Sequence, residues 1–179
     1  MAVGILGLTM ALGFSGCQSE NQKNQDAYRK IGINSMAEGD YDKAVKSFQK
    51  ALDTSLGKIG AEEIDICYYK AAAQFAKKDY DGAIETYTSL IDYDKENANA
   101  YYLRGSVYLD TDKKDKAFKD YKNAVKYAGR EYEIYEGIYE NLTNKGETEE
   151  AKNYLKKALD IKPKDGADYA EQGHVYYLL

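Results

Sequence analysis

The chain predicts an all-α fold of stacked helical hairpins, and three regularities carry that expectation. Alanine recurs at Ala44, Ala83, Ala117 and Ala151, and the last two steps are both 34 residues. Small residues keep the same beat twelve positions earlier, at Gly32, Ala71 and Gly105, with Gly173 one period after position 139. Between these markers apolar residues recur at helical spacing, as in Ala117, Phe118, Tyr121, Ala124 and Val125. A fixed period in the low thirties means helix pairs stacked side by side, because one pair cannot bury its apolar face alone.

Residues 2–14 (AVGILGLTMALGF) form an uncharged apolar run followed by Ser15, Gly16 and Cys17. The run suits the core of a secretion signal and is too short to span a bilayer. Small residues directly before a cysteine, here Phe14-Ser15-Gly16-Cys17, resemble the lipobox of bacterial lipoproteins, with the departure that no Lys or Arg precedes the run. The resemblance implies a signal peptide over 1–16, removed on maturation, and acylation of Cys17 with palmitate-type chains. The product would be lipid-anchored on the extracytoplasmic face of a cell-envelope membrane, since two acyl chains hold stably where one is marginal. Residues 17–25 then supply the lipidated cysteine and a polar, aperiodic tether, of which residues 18–25 reach roughly 27 Å when extended.

The repeat domain is expected over 26–179, with repeat one at 25–58, two at 64–97, three at 98–131, four at 132–165 and a capping helix at 166–179. Counting within each repeat, position 20 is alanine four times and position 27 reads Ala51, Leu90, Ala124 and Ala158. Position 24 reads Phe48, Tyr87, Tyr121 and Leu155, and position 4 reads Tyr28, Cys67, Tyr101, Tyr135 and Tyr169. Small side chains let helices approach, and the bulky ones fill the space between. Gly39 and Gly146 suit left-handed helix ends, while Asp40, Asp79 and Thr148 suit the starts that follow. This pattern resembles the tetratricopeptide repeat, in register over nearly the whole chain after the tether. The resemblance implies a right-handed superhelical solenoid of antiparallel helix hairpins, in which Pro163 follows the last second helix. Two departures stand out: Tyr139 replaces a small residue at position 8 of repeat four, so its hairpin must splay or lean on Gly137. Residues 55–63 form a longer link that should leave the first repeat rotated or more mobile.

The net charge of -5 makes nucleic acid a poor partner, because such binding rests on neutralising phosphates. With Cys17 acylated, Cys67 has no intrachain partner and no disulfide framework forms. Most of the nineteen tyrosines fall at packing positions 4, 11, 17 and 24. In the family, first-helix positions 2, 5, 9 and 12 face the concave groove. There the chain places Arg29, Tyr68, Phe75, Asn99, Tyr102, Ser106, Leu109 and Tyr177, with Glu133, Glu136 and Glu140 making the far wall acidic. Arg29, Tyr68, Phe75, Tyr102, Ser106, Glu136 and Glu140 are the candidate peptide-binding residues, and an ordinary solvated inner face is the competing reading. The Lys/Asn/Arg clamp by which some members hold chaperone tails is missing, since the matching positions include Arg29, Ile33, Ala72, Tyr102 and Ser106.

Residues 110–121 resemble a calcium loop only in part, because Lys114 takes a ligand position and Tyr121 stands where the bidentate Glu belongs. The second such stretch, from Asp92, closes on Leu103. His174 is the only histidine and has no second His or paired Cys, and no phosphate loop or nucleophile elbow is present. No metal, cofactor or enzymatic activity is therefore expected. The expected function is that of an anchored lipoprotein scaffold binding a protein or peptide partner through its groove. A carbohydrate-binding accessory and a self-associating structural envelope lipoprotein stay open as alternatives. Val175, Tyr176, Tyr177, Leu178 and Leu179 make the C-terminal helix the expected self-association surface.

Overall fold

A computed structural model describes residues 20–55 and 57–179. The signal peptide expected over 1–16 and the expected acylation of Cys17 fall outside the described residues. Nine α-helices follow one another among those described: α1 (Glu20–Ala37), α2 (Tyr41–Thr54), α3 (Ala61–Ala76), α4 (Tyr80–Tyr93), α5 (Ala98–Asp110), α6 (Lys114–Tyr127), α7 (Tyr132–Asn144), α8 (Thr148–Lys157) and α9 (Gly166–Leu178). A 3-10 turn at Ala158–Asp160 extends α8. α1, α3, α5 and α7 each pack on the even helix that follows, each pair packs on the next, and α9 packs on the 3-10 turn after α8, so the stack is a solenoid.

The period-setting residues do what their size suggests. Ala44, Ala83, Ala117 and Ala151 are all fully buried. At Gly32 an added Cβ would lie 2.5 Å from the Phe48 ring, and at Gly105 it would lie 2.8 Å from the Tyr121 ring. The glycine at position 8 is thus the seat for the aromatic ring at position 24 of the facing helix. Repeat four departs here: Gly137 does not support its own hairpin, because the Tyr102 side chain of the preceding repeat lies on it, with Cζ 2.6 Å from the Cβ position. Tyr139 instead packs at the edge of the core, and its hydroxyl donates to the Leu178 carbonyl at 3.2 Å, tying α7 to α9.

The hairpin turns share one backbone device. The residue at position 15 has positive φ in all four: Gly39 (78°), Lys78 (66°), Asp112 (57°) and Gly146 (80°). Asp40 and Asp79 cap the following helices, accepting from the amides of Lys43 and Gly82 at 3.0 and 3.1 Å. Thr148 is the first helical residue rather than the cap; Glu147 takes the cap position.

Two expectations change at the N-terminal end. The tether predicted over 18–25 is helical from Glu20, so most of it belongs to α1. The reason lies far along the chain: Gln22 donates to Glu62, and Gln25, which is buried, donates to Glu63 at 2.7 Å. These contacts and the Arg29–Asp65 ion pair also fix the first repeat against α3 despite the long link. The link itself folds over a cavity of about 270 Å³ whose lining includes Leu52, Ile59, Ile64, Cys67, Leu90 and Tyr93.

Among the described residues, burial divides into three apolar clusters. Phe48, Ala51, Ile66 and Ala73 join repeat one to α3. Ala83, Tyr87, Leu90 and Val107 join repeat two to α5. The largest runs from Ala98 through Tyr121, Ile138 and Leu155 to Val175 on α9.

Candidate functional site

The candidate residues lie on the first helices, where the repeat register sets each one beside its counterpart in the next repeat; α1 touches α3, and α5 touches α7. Arg29, on α1, is engaged: its Nε donates to Asp65 Oδ2 at 2.9 Å, a second nitrogen pairs with the same carboxylate, and its guanidinium lies 5.2 Å from the Tyr69 ring centroid. The hydrogen bond that Arg29 donates to Asp65 holds the guanidinium pKa above its ordinary value. Arg29 therefore joins repeats one and two before it meets any ligand.

Tyr68 and Tyr102 share position 5 of repeats two and three. Both are half-buried, and burial pushes both hydroxyls above the ordinary tyrosine pKa. Tyr68 donates to Asn97 Oδ1 at 2.7 Å, the same oxygen that caps α5 through the Ala100 amide at 2.9 Å. Its ring leans on Tyr87 at 6.4 Å. The Tyr102 ring rests on Gly137 and lies 6.4 Å from that of Tyr121. Ser106 donates to the Tyr102 carbonyl at 2.9 Å and accepts from Asn141 Nδ2 at 2.8 Å. Asn141 also reaches the Tyr121 hydroxyl at 3.4 Å, whose pKa burial pushes up to about 12. Tyr102, Ser106, Tyr121 and Asn141 form one polar knot between repeats three and four.

Phe75 packs edge-on against Tyr80 at 5.6 Å within the second apolar cluster. Glu136 accepts from or shares a proton with His174 Nδ1 at 2.8 Å, which binds α9 to α7, while Glu140 is exposed. The structure thus gathers Tyr102 and Ser106 in one cluster and sets Tyr68 on the neighbouring first helix. Arg29 sits with repeat one and Glu136 with α9.

Sequence reasoning did not single out Asn97, which holds Tyr68, Asn141, which donates to Ser106 and Tyr121, or the pair Arg104 and Asp120. Arg104 on α5 donates through Nε and Nη2 to the two oxygens of buried Asp120 on α6, at 2.7 and 2.8 Å, and through Nη1 to Thr88 of α4 at 2.9 Å. The repeat register was the available signal: these residues stand at positions 7, 23 and 25, where a charged pair beside a threonine is legible only once the hairpin is built.

The family profiles agree with this architecture. Tetratricopeptide repeat profiles match residues 29–87, 98–130 and 140–165, and a further TPR repeat profile matches 71–112. Together they cover well over half of the chain, which belongs to the tetratricopeptide repeat proteins. No curated protein sequence matches it. Among solved structures it is similar to MamA, with 26% identity and a TM-score of 0.59 over 76% of this chain and 77% of that one. A MamA fragment (41-end) from Desulfovibrio magneticus RS-1 shares 22% identity, with a TM-score of 0.60 over 79% and 76%. YrrB, described as a TPR protein with an unusual peptide-binding site, aligns at 17% identity with a TM-score of 0.55 over 83% and 74%. The last two likenesses speak for the fold alone.

Proposed function

We propose that this chain is a membrane-anchored, extracytoplasmic lipoprotein that holds an extended protein or peptide segment along its first-helix face and performs no catalysis. One observation carries the reading. Tyr68 and Tyr102 present half-buried rings from the first helices of successive repeats, Tyr68 held by its hydroxyl on Asn97 and Tyr102 by its ring packed on Gly137 and Tyr121. Rings fixed in this way lose little conformational freedom when a ligand arrives, which is the property that makes aromatic side chains good interface anchors. Exposed Glu133 and Glu140, both on α7, favour a ligand with a Lys or Arg and disfavour one that presents a terminal carboxylate. The carbohydrate alternative needs rings that lie flat and open, and these two are half-buried.

Peptides selected from a display library on the full chain in mild detergent provide the test. Tyr68→Ala should weaken a selected peptide by about 1–3 kcal/mol, and Glu140→Lys should reverse the salt dependence of its binding. If both variants bind as the parent does and unfold at the same temperature, the ligand sits elsewhere and the second-helix face is the place to look. The anchor is tested separately: Cys17→Ala should release the protein from the membrane fraction and abolish labelling with a fatty-acid precursor.

A further inference from the structure

The two helices of hairpin three hold open a cleft of about 330 Å³, a volume at the low end of small-ligand pockets. Its walls follow helical spacing. Tyr101, Arg104 and Tyr108 stand at i, i+3 and i+7 on α5, facing Lys116, Lys119 and Asn123 at i, i+3 and i+7 on α6. Hairpin packing does not call for these residue types. The positions of the two lysines read Gly82 and Glu85 in repeat two and Glu150 and Asn153 in repeat four, and the position of Arg104 reads Lys70 and Ile138.

The cleft is cationic in an acidic chain. Asp120 pairs with Arg104 and cancels its charge, so Lys116 and Lys119 leave two positive charges over. Lys113 and Lys114, in the adjoining turn and at the start of α6, are paired with Asp81 and Glu147. Among the described residues Lys119 has no such partner, and Lys116 meets only the Tyr108 ring, 5.4 Å from its centroid. Asp92 of α4, which also feels the Arg104 charge, is held by Lys95 at 2.6 Å.

Unused donors accompany the charge. A guanidinium has five N–H groups, and Asp120 and Thr88 take three of them here, leaving one on each terminal nitrogen of Arg104. The Tyr101 and Tyr108 hydroxyls and the Asn123 amide have no hydrogen-bond partner among the described residues. Arg104 is also fixed before any ligand arrives, by the carboxylate, by Thr88 and by the two tyrosine rings. Two surplus charges beside several free donors match one ligand group better than a carboxylate, which brings a single charge. A phosphate monoester carries about 1.5–2 negative charges at neutral pH and three strong acceptor oxygens.

We propose that the cleft between α5 and α6 binds a phosphate monoester, Lys116 and Lys119 supplying the matching charge and Arg104 and Asn123 hydrogen-bond donors. The cleft shares no residue with the Tyr68–Tyr102 face, so its occupant is independent of any peptide held there.

Calorimetric titration of the full chain in mild detergent with phenyl phosphate tests this. The parent should bind one equivalent, and Lys116→Gln/Lys119→Gln should weaken binding by about tenfold or more. Both lysines are exposed, so the melting temperature of the double variant should match the parent's. Lys122→Gln, on the same helix but outside the cleft, should bind as the parent does. Phenyl sulfate has the same shape and a single charge, and should bind about tenfold or more weakly. Competition by glycerol 3-phosphate or by phosphatidic acid in the same detergent tells a free ester from a lipid headgroup as the source. No binding of phenyl phosphate at millimolar concentration, or binding that the double variant keeps, overturns the proposal. Equal binding of phenyl sulfate, an equal loss in Lys122→Gln, or competition by neither ester does so too.

Discussion

Removing Asp120 should destabilise the protein more than removing any ion pair on its surface. The carboxylate is 4% exposed and the Arg104 side chain 15%, so water offers neither charge much compensation. Burial alone would lower the pKa of Arg104; the hydrogen bonds and charge of Asp120 more than offset that and hold it above its ordinary value. Deleting one member of a buried pair costs about 3–5 kcal/mol, because the other is left charged and unpaired. Arg104 would keep Thr88 and two ring faces, Tyr101 and Tyr108, at 5.7 and 5.8 Å. Asp120→Ala therefore belongs at the low end, about 3 kcal/mol. Arg104→Met strands the more deeply buried carboxylate and should cost about 4 kcal/mol. In the double variant Arg104→Met/Asp120→Leu no charge remains to be stranded, and the cost should fall to about 1–2 kcal/mol, well below the sum. Urea unfolding followed by circular dichroism measures all three, and hydrogen exchange should show the loss first at the α4–α5 junction, where Thr88 joins the pair. Single variants costing under about 1 kcal/mol, or a double variant equal to the sum, would refute the reasoning.

Three further outcomes follow from the geometry. Lys78→Gly should raise stability by about 0.5–1 kcal/mol, and Asp112→Gly by less because Asp tolerates the left-handed region better; a fall in melting temperature for either contradicts the strain their positive φ implies. Gly32→Ala and Gly105→Ala should each cost about 1–3 kcal/mol despite better helix propensity, since the new methyl meets the Phe48 or Tyr121 ring, and thermal melts would expose a neutral result. Burial pushes the Cys67 thiol pKa up, so in Cys17→Ala protein it should react with disulfide reagents more slowly than a free cysteine at neutral pH, with a rate that climbs over a pH range displaced upward.

The hairpins were legible because their determinants are local. Ala44, Ala83, Ala117 and Ala151, with the small residues twelve positions before the first three, announce close helix contacts within one repeat, and the structure makes those contacts. Contacts between repeats were much less legible. Gly137 reads as relief for Tyr139 two residues away, yet it carries Tyr102 from 35 residues earlier. Residues 20–25 read as tether because they lack periodicity, but Gln22 and Gln25 are ordered by Glu62 and Glu63 on another helix. The tyrosines of the candidate site were found by register, whereas Asn97, which holds Tyr68, was not, since a hydrogen-bond partner 29 residues away leaves no mark on local spacing.

The division of the apolar interior into three clusters bears on how the molecule resists tension. Between a pull at the N-terminal end and a hold at the other, repeat one is the weakest link, because its cluster is closed only by Phe48, Ile66 and a few alanines and by polar pairs to α3. Hairpins in series carry the same tension, so the clusters open in order of strength, and the large cluster from Ala98 to Val175 is the last to yield. Because each cluster is shared with the first helix of the next hairpin, the structure should yield in steps, proximal hairpin first, paying out length while the distal half stays folded.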